Sequence, residues 1–183
     1  MGDIMKKIFI ILLLVFMLCG CESNLMNTPT KRVETMLNNY ITLNNDVIKD
    51  LDDIVAKDTT MNDNQKEDYK NIIKKSYQNM SYEIKDEVID GDNATVTVEI
   101  KVYNLKKIID EVNDYLDNHK DEFLKDNEID KELFNNYKLN QLKKANDKVT
   151  YTLNLTLSKE DNKWILDNLT DTEISKIHGM YEY

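Results

Sequence analysis

Between residues 81 and 102 the apolar side chains fall on alternate positions, whereas on both sides they recur at steps of three and four. Tyr82, Ile84 and Val88 share one parity within Ser81–Ile89, and Ala94, Val96, Val98, Ile100 and Val102 share another, unbroken one. Alternation of that kind specifies strands with one buried face. The intervening Asp90-Gly91-Asp92-Asn93 is a hairpin turn signal, so the two strands are antiparallel neighbours.

Upstream, Val33, Leu37, Tyr40, Ile41, Val47, Ile48, Leu51, Ile54 and Val55 predict an amphipathic helix from Lys31 to Ala56, with Asn44 marking a kink or break. Thr28-Pro29 supplies an N-cap and a first-turn proline for it. A second helix, about Asn64–Asn79, buries Tyr69, Ile72, Ile73 and Tyr77. Downstream, Leu105 to about Lys144 returns to helical spacing as two helices broken near Asp126–Asp130. Alternation resumes at Val149, Tyr151, Leu153, Leu155 and Leu157, followed by a turn at Glu160–Lys163 and a short strand Trp164–Leu169. Thr170-x-x-Glu173 reads as a capping box opening a last helix, which Gly179 closes. The order is helices, hairpin, helices, hairpin, helix, which specifies an α+β domain. Its N-terminal helices pack on a twisted antiparallel sheet of about four strands, with a long helical segment between the two hairpins.

The first residues have another character. Lys6 and Lys7 precede an unbroken apolar run from Ile8 to Cys19, and Gly20-Cys21 follows. The run is shorter than the roughly 20 residues a membrane-spanning helix needs, and its parts are those of an export signal. The quartet Leu18-Cys19-Gly20-Cys21 resembles the lipobox of bacterial lipoproteins, in which a small residue precedes the cut and a cysteine sulfur carries diacylglycerol. Cys21 fits that role, and Cys19, preceded by Leu18, does not. Met1-Gly2 would suit myristoylation, but position six is Lys6 rather than Ser or Thr; Met5 is the expected initiator. The expected organisation is therefore a signal peptide at 1–20, a lipidated cysteine and tether at 21–29, and a single α+β domain at 30–183. Two or more acyl chains anchor stably where one is marginal, which places the domain on the outer face of the cytoplasmic membrane.

Removing residues 1–20 from the 183 leaves 163, enough for one domain with its own core. With Cys19 gone and Cys21 capped, no disulfide can form, so the core alone must hold the fold. Loss of Lys6, Lys7 and Asp3 takes the net charge from −10 to −11. So acidic a domain is repelled by phosphate backbones, which argues against nucleic acid as a partner. Arg32 is the one arginine against many lysines, and asparagine and isoleucine are plentiful, as in an AT-rich, low-GC Gram-positive host.

Thr28-Pro29-Thr30-Lys31-Arg32-Val33, the hairpin from Tyr82-Glu83-Ile84-Lys85-Asp86 through Gly91-Asp92-Asn93-Ala94-Thr95-Val96-Thr97-Val98, and Lys163-Trp164 together resemble small Gram-positive lipoproteins with a nuclear transport factor 2-like (cystatin-like) domain. The resemblance covers most of the exported chain. It implies a cone of sheet and helices enclosing a pocket, and it carries no catalytic residues with it. The helical segment between the hairpins is longer than that fold usually needs.

Chemistry is sparse. His119 and His178 lie far apart without metal-ligand spacing and read as exposed helix-end residues. Glycines at 2, 20, 91 and 179 cannot build a phosphate-cradling loop. No carboxylate cluster has a calcium-loop pattern, and clusters such as Asp50, Asp52 and Asp53 read as solvated helix faces. Neither metal nor cofactor is expected. Asp86 shares the inward parity of Tyr82, Ile84 and Val88, so with Tyr82 it is the candidate for a pocket inside the cone, where burial would raise its pKa and suit it to general-base work. The leading expectation is a noncatalytic envelope module that binds a partner protein or a small ligand. The alternative is an isomerase- or dehydratase-like enzyme using that pocket.

Overall fold

The computed structural model describes residues 27–182. Three helices come first: α1 (Pro29–Ile41), α2 (Asn45–Ala56) and α3 (Asp63–Gln78). The hairpin β1 (Ser81–Asp90) and β2 (Asn93–Tyr103) follows. Then come α4 (Leu105–Asn118), a 3₁₀ turn at Lys120–Phe123, a minimal hairpin β3 (Leu124–Lys125) and β4 (Glu128–Ile129), and α5 (Lys131–Leu142). The chain closes with β5 (Lys148–Glu160), β6 (Lys163–Leu166) and α6 (Asp171–Ile177). The main sheet has the order β1-β2-β5-β6 and is antiparallel throughout. The fold is the α+β arrangement that the alternation and helical spacing specify.

Asn44 is where the first apolar stripe breaks. Leu43 adopts a left-handed φ of 55°, and the Asn44 side chain then caps α2 by accepting from the Asp46 N–H at 2.9 Å. The broken pair lets α1 lie over the sheet while α2 turns against α3. The hairpin turns also follow their sequences. Asp161-Asn162 and Asp126-Asn127 each take positive φ at both loop positions, the type I′ pattern. Gly91, at +59°, opens the β1–β2 turn.

The inner face of the sheet is filled. Val96, Val98, Ile100, Val102, Tyr151, Leu153, Leu155 and Leu157 are all 2% exposed or less. They pack in one core with Val33 and Leu37 of α1, Ile73 and Tyr77 of α3, and Ile177 of α6. The outer face carries Thr95, Thr97, Thr150, Thr152, Asn154 and Thr156 and meets solvent.

One expectation about β1 fails. A β-bulge at Lys85 shifts the pairing from Ile84↔Val98 to Asp86↔Thr97. The extra residue reverses the parity of everything after it. Asp86 and Val88 therefore join the outer-face positions of Thr97 and Thr95, and Val88 is 57% exposed. Glu87 takes the inner side instead, where its carboxylate accepts the Thr30 N–H at 2.8 Å in the first turn of α1. A carboxylate there satisfies an otherwise orphaned donor and meets the positive end of the helix dipole.

The end of α6 is fixed by a Schellman motif: Met180 N–H donates to Ser175 and Gly179 N–H to Lys176. Gly179 has φ of 70°, and its carbonyl accepts the Lys106 N–H at 2.9 Å. A Cβ on Gly179 would stand 2.0 Å from the carbonyl oxygen of Tyr103, whereas one on Gly91 would meet nothing within 4 Å. Gly91→Ala is expected to cost only the left-handed strain, about 1–2 kcal/mol. Gly179→Ala adds a backbone collision and is expected to cost about 3 kcal/mol or more. Urea unfolding of the two variants checks the difference, and equal losses would contradict it.

Candidate functional site

Cys21 lies outside the described residues. Tyr82 is half-buried on β1, and its hydroxyl reaches Asn38 of α1 at 3.4 Å. It lines a shallow surface hollow with Glu83, Glu99 and Lys101, not an enclosed chamber. Asp86 is exposed, and its carboxylate accepts the N–H of Glu87 at 2.9 Å. The bulge at Lys85 has taken it out of the concave face. Tyr82 and Asp86 therefore do not share a pocket, and the volume between sheet and helices is occupied by the core side chains.

One opening outside that core is a cleft of about 540 Å³ bounded by α1, α2, α3 and α6. Its apolar wall includes Val47, Leu51, Ile54, Leu169 and Ile174, and its polar wall includes Asp50, Asp53, Lys57 and Asn168. Three rings meet at its base. Tyr40 stands edge-on to Tyr77 at 5.0 Å between centroids, and Tyr77 tilts against His178 at 5.7 Å. Burial raises the pKa of both tyrosines, with Asp50 adding to the effect, so both keep their protons at neutral pH. His178 is not an exposed helix-end residue as its position suggested. It is half-buried, and loss of water around the ring holds its pKa down at about 4. At neutral pH the cleft floor is thus a set of uncharged, polar-edged rings beneath a mostly acidic rim.

The helical segment between the hairpins carries a second cluster. Tyr115 stacks on His119 at 4.0 Å and on Tyr137 at 5.0 Å, Phe123 closes edge-on against both tyrosines, and Phe134 packs edge-on against Phe123. The Tyr115 hydroxyl donates to Glu122 at 3.0 Å. These rings hold α4 against α5 and leave a polar groove of about 370 Å³, lined among others by Lys107, Glu111, Tyr115, Tyr137 and Asp147. Lys107 bonds Asp147 at 2.8 Å across it.

Among the described residues no three His, Cys, Asp or Glu side chains converge to hold a metal ion, and no helix is long and apolar enough to cross a membrane. The three rings of the cleft escaped the sequence reading because they come from helices far apart in the chain. The signal available was the place of Tyr40 and Tyr77 on apolar stripes, which core packing explains equally well; His178 gave none.

No protein-family model matches the chain, and no curated protein matches it. Among solved structures it is similar to ycdA of Bacillus subtilis strain 168, a candidate lipoprotein, with a TM-score of 0.44 and 20% identity. The similarity covers 76% of this chain, which spans 46% of that protein.

Because His178 titrates near 4 when folded and near 6.5 when unfolded, the unfolded chain binds the extra proton between those values. Stability from this group is therefore complete above pH 6.5 and is lost as pH falls toward 4, by up to about 3 kcal/mol. His178→Gln is expected to remove that part of the acid sensitivity. Urea titrations of both chains at pH 7 and pH 4.5 check it, and an unchanged difference between the two pH values would contradict it.

Proposed function

We propose that this chain is a lipoprotein held on the outer face of the cytoplasmic membrane by lipid on Cys21, with a noncatalytic domain that works by binding at the cell envelope. The Lys6-Lys7 start, the apolar run and Leu18-Cys19-Gly20-Cys21 support the anchoring. The observation that carries the noncatalytic part is the filled concave face. The eight inward side chains of β2 and β5 leave no chamber in which Asp86 and Tyr82 could meet a substrate. The α+β order and hairpin motifs support a nuclear transport factor 2-like domain in a Gram-positive host. In such a domain recognition would fall to the end cleft, the interhelical groove and the outer surface, where a small ligand or an envelope protein could dock.

Two lipid chains suffice for stable anchoring, so the test is direct. Expressed in a Gram-positive host with labelled palmitate, the full chain is expected to take up label and sediment with membranes. The Cys21→Ser chain is expected to lose the label and leave the membrane fraction. Label retained on Cys21→Ser, or membrane retention without label, would overturn the proposal.

A further inference from the structure

A narrow slot of about 180 Å³ opens where the second half of α3, the β2–α4 junction and the end of α5 meet. Its floor is apolar: Ile72, Leu105, Leu142 and Ala145 are each less than 9% exposed, and Tyr103 forms one wall. Its rim is polar, with Asp68, Asn71, Lys75 and Lys143. Asp68 and Lys143 neutralise each other in an ion pair of 2.7 Å that links α3 to α5. Lys75 has no acidic partner among the described residues, and it stands 5.7 Å from the centre of the Tyr103 ring. Lys148 flanks the same ring at 5.5 Å, its ammonium donating to the carbonyl of Asn79 at 2.6 Å. On a chain of net charge −10, the slot is thus a mainly apolar recess with positive charge from Lys75 beside its mouth.

We propose that this slot binds a small organic carboxylate, with a single ring or short branched chain in the recess and the carboxylate on Lys75. Size sets the first half of the assignment. Pockets for drug-sized ligands run from about 300 to 1,000 Å³, and this one is smaller, so it takes one ring and not several. Charge sets the second half. The ammonium of Lys75 gains a charge-assisted hydrogen bond for which the described residues supply no acidic partner, and Lys148, also beside the Tyr103 ring, adds attraction. Asp68 is held by Lys143, so the acid on the rim does not compete for Lys75. Burial of one ring with one exposed ionic contact corresponds to millimolar affinity. This inference goes beyond the envelope-binding reading and does not depend on lipid at Cys21.

Phenylacetate is a suitable probe, with phenylacetamide as its uncharged counterpart and inorganic phosphate as a bare anion. In titrations of the ¹⁵N-labelled full chain in detergent micelles, phenylacetate is expected to give saturable amide shifts centred on Tyr103, Leu105 and Ala145. Phenylacetamide and the Lys75→Gln chain should each bind at least about five-fold more weakly, and phosphate should not compete. Ala145→Leu, which fills the recess, should abolish the shifts and serves as the blank for micelle partition. Absence of saturation by about 10 mM, shifts that survive Ala145→Leu, or equal binding of phenylacetamide would each overturn the proposal. Should Ala145→Leu fail to give a folded spectrum, Lys75→Gln and the location of the shifts decide alone.

Discussion

The structure depends on the pairing of β2 with β5. Eleven consecutive residue pairs, from Asn93↔Ser158 to Tyr103↔Lys148, keep the apolar residues of both strands on the same face. Each fully buried side chain of this size contributes about 1.5–3 kcal/mol. A slip of one residue would turn a whole strand's set toward solvent. That register gives the helices a surface to cover, and no cysteine lies among the described residues to share the task. α1 supplies Val33 and Leu37 and α3 supplies Ile73 and Tyr77 to the other side of the same core. Unbroken alternation over two long strands explains why the concave side closes completely.

Closure of that side governs where function can reside. A concave sheet can hold a ligand only if the facing side chains are short or withdrawn, and here they are valines, leucines, isoleucine and tyrosine in contact with helices. Three openings lie away from the concave side: one among α1, α2, α3 and α6, one between α4 and α5, and the slot beside Tyr103. Two of the three involve the helical segment between the hairpins, which stabilises itself with its own aromatic stack.

Much of the fold was legible in the sequence because period, caps and turns are local signals. Asn44 as a break, Asp90–Asn93 as a turn, and Thr170 with Glu173 as a capping box need only nearby residues to act. The bulge at Lys85 was not legible. Tyr82, Ile84, Asp86 and Val88 alternate without a flaw, and only the pairing with β2 shows that the strand carries one residue too many. That single insertion moved Asp86 from the inner face to the outer one and brought Glu87 to the start of α1. His178 was misjudged for a related reason. Its place at the end of α6 is local, whereas the Tyr77 ring that shields it arrives from α3.

Asn27 ties the start of the described chain to one end of the sheet. Its side chain donates to the carbonyl of Asn162 at 2.7 Å and accepts the N–H of Trp164 at 3.1 Å, beside the β5–β6 turn. Six peptide units separate it from Cys21, a reach of about 20 Å at most. With lipid on Cys21, the hairpin tips would stand closest to the bilayer. β2 runs away from that end for eleven residues, about 35 Å at strand spacing, before it reaches Tyr103. On the proposed anchoring the domain would then act as a short mast, its acidic turns held near the lipid headgroups and its lysine-flanked slot carried outward.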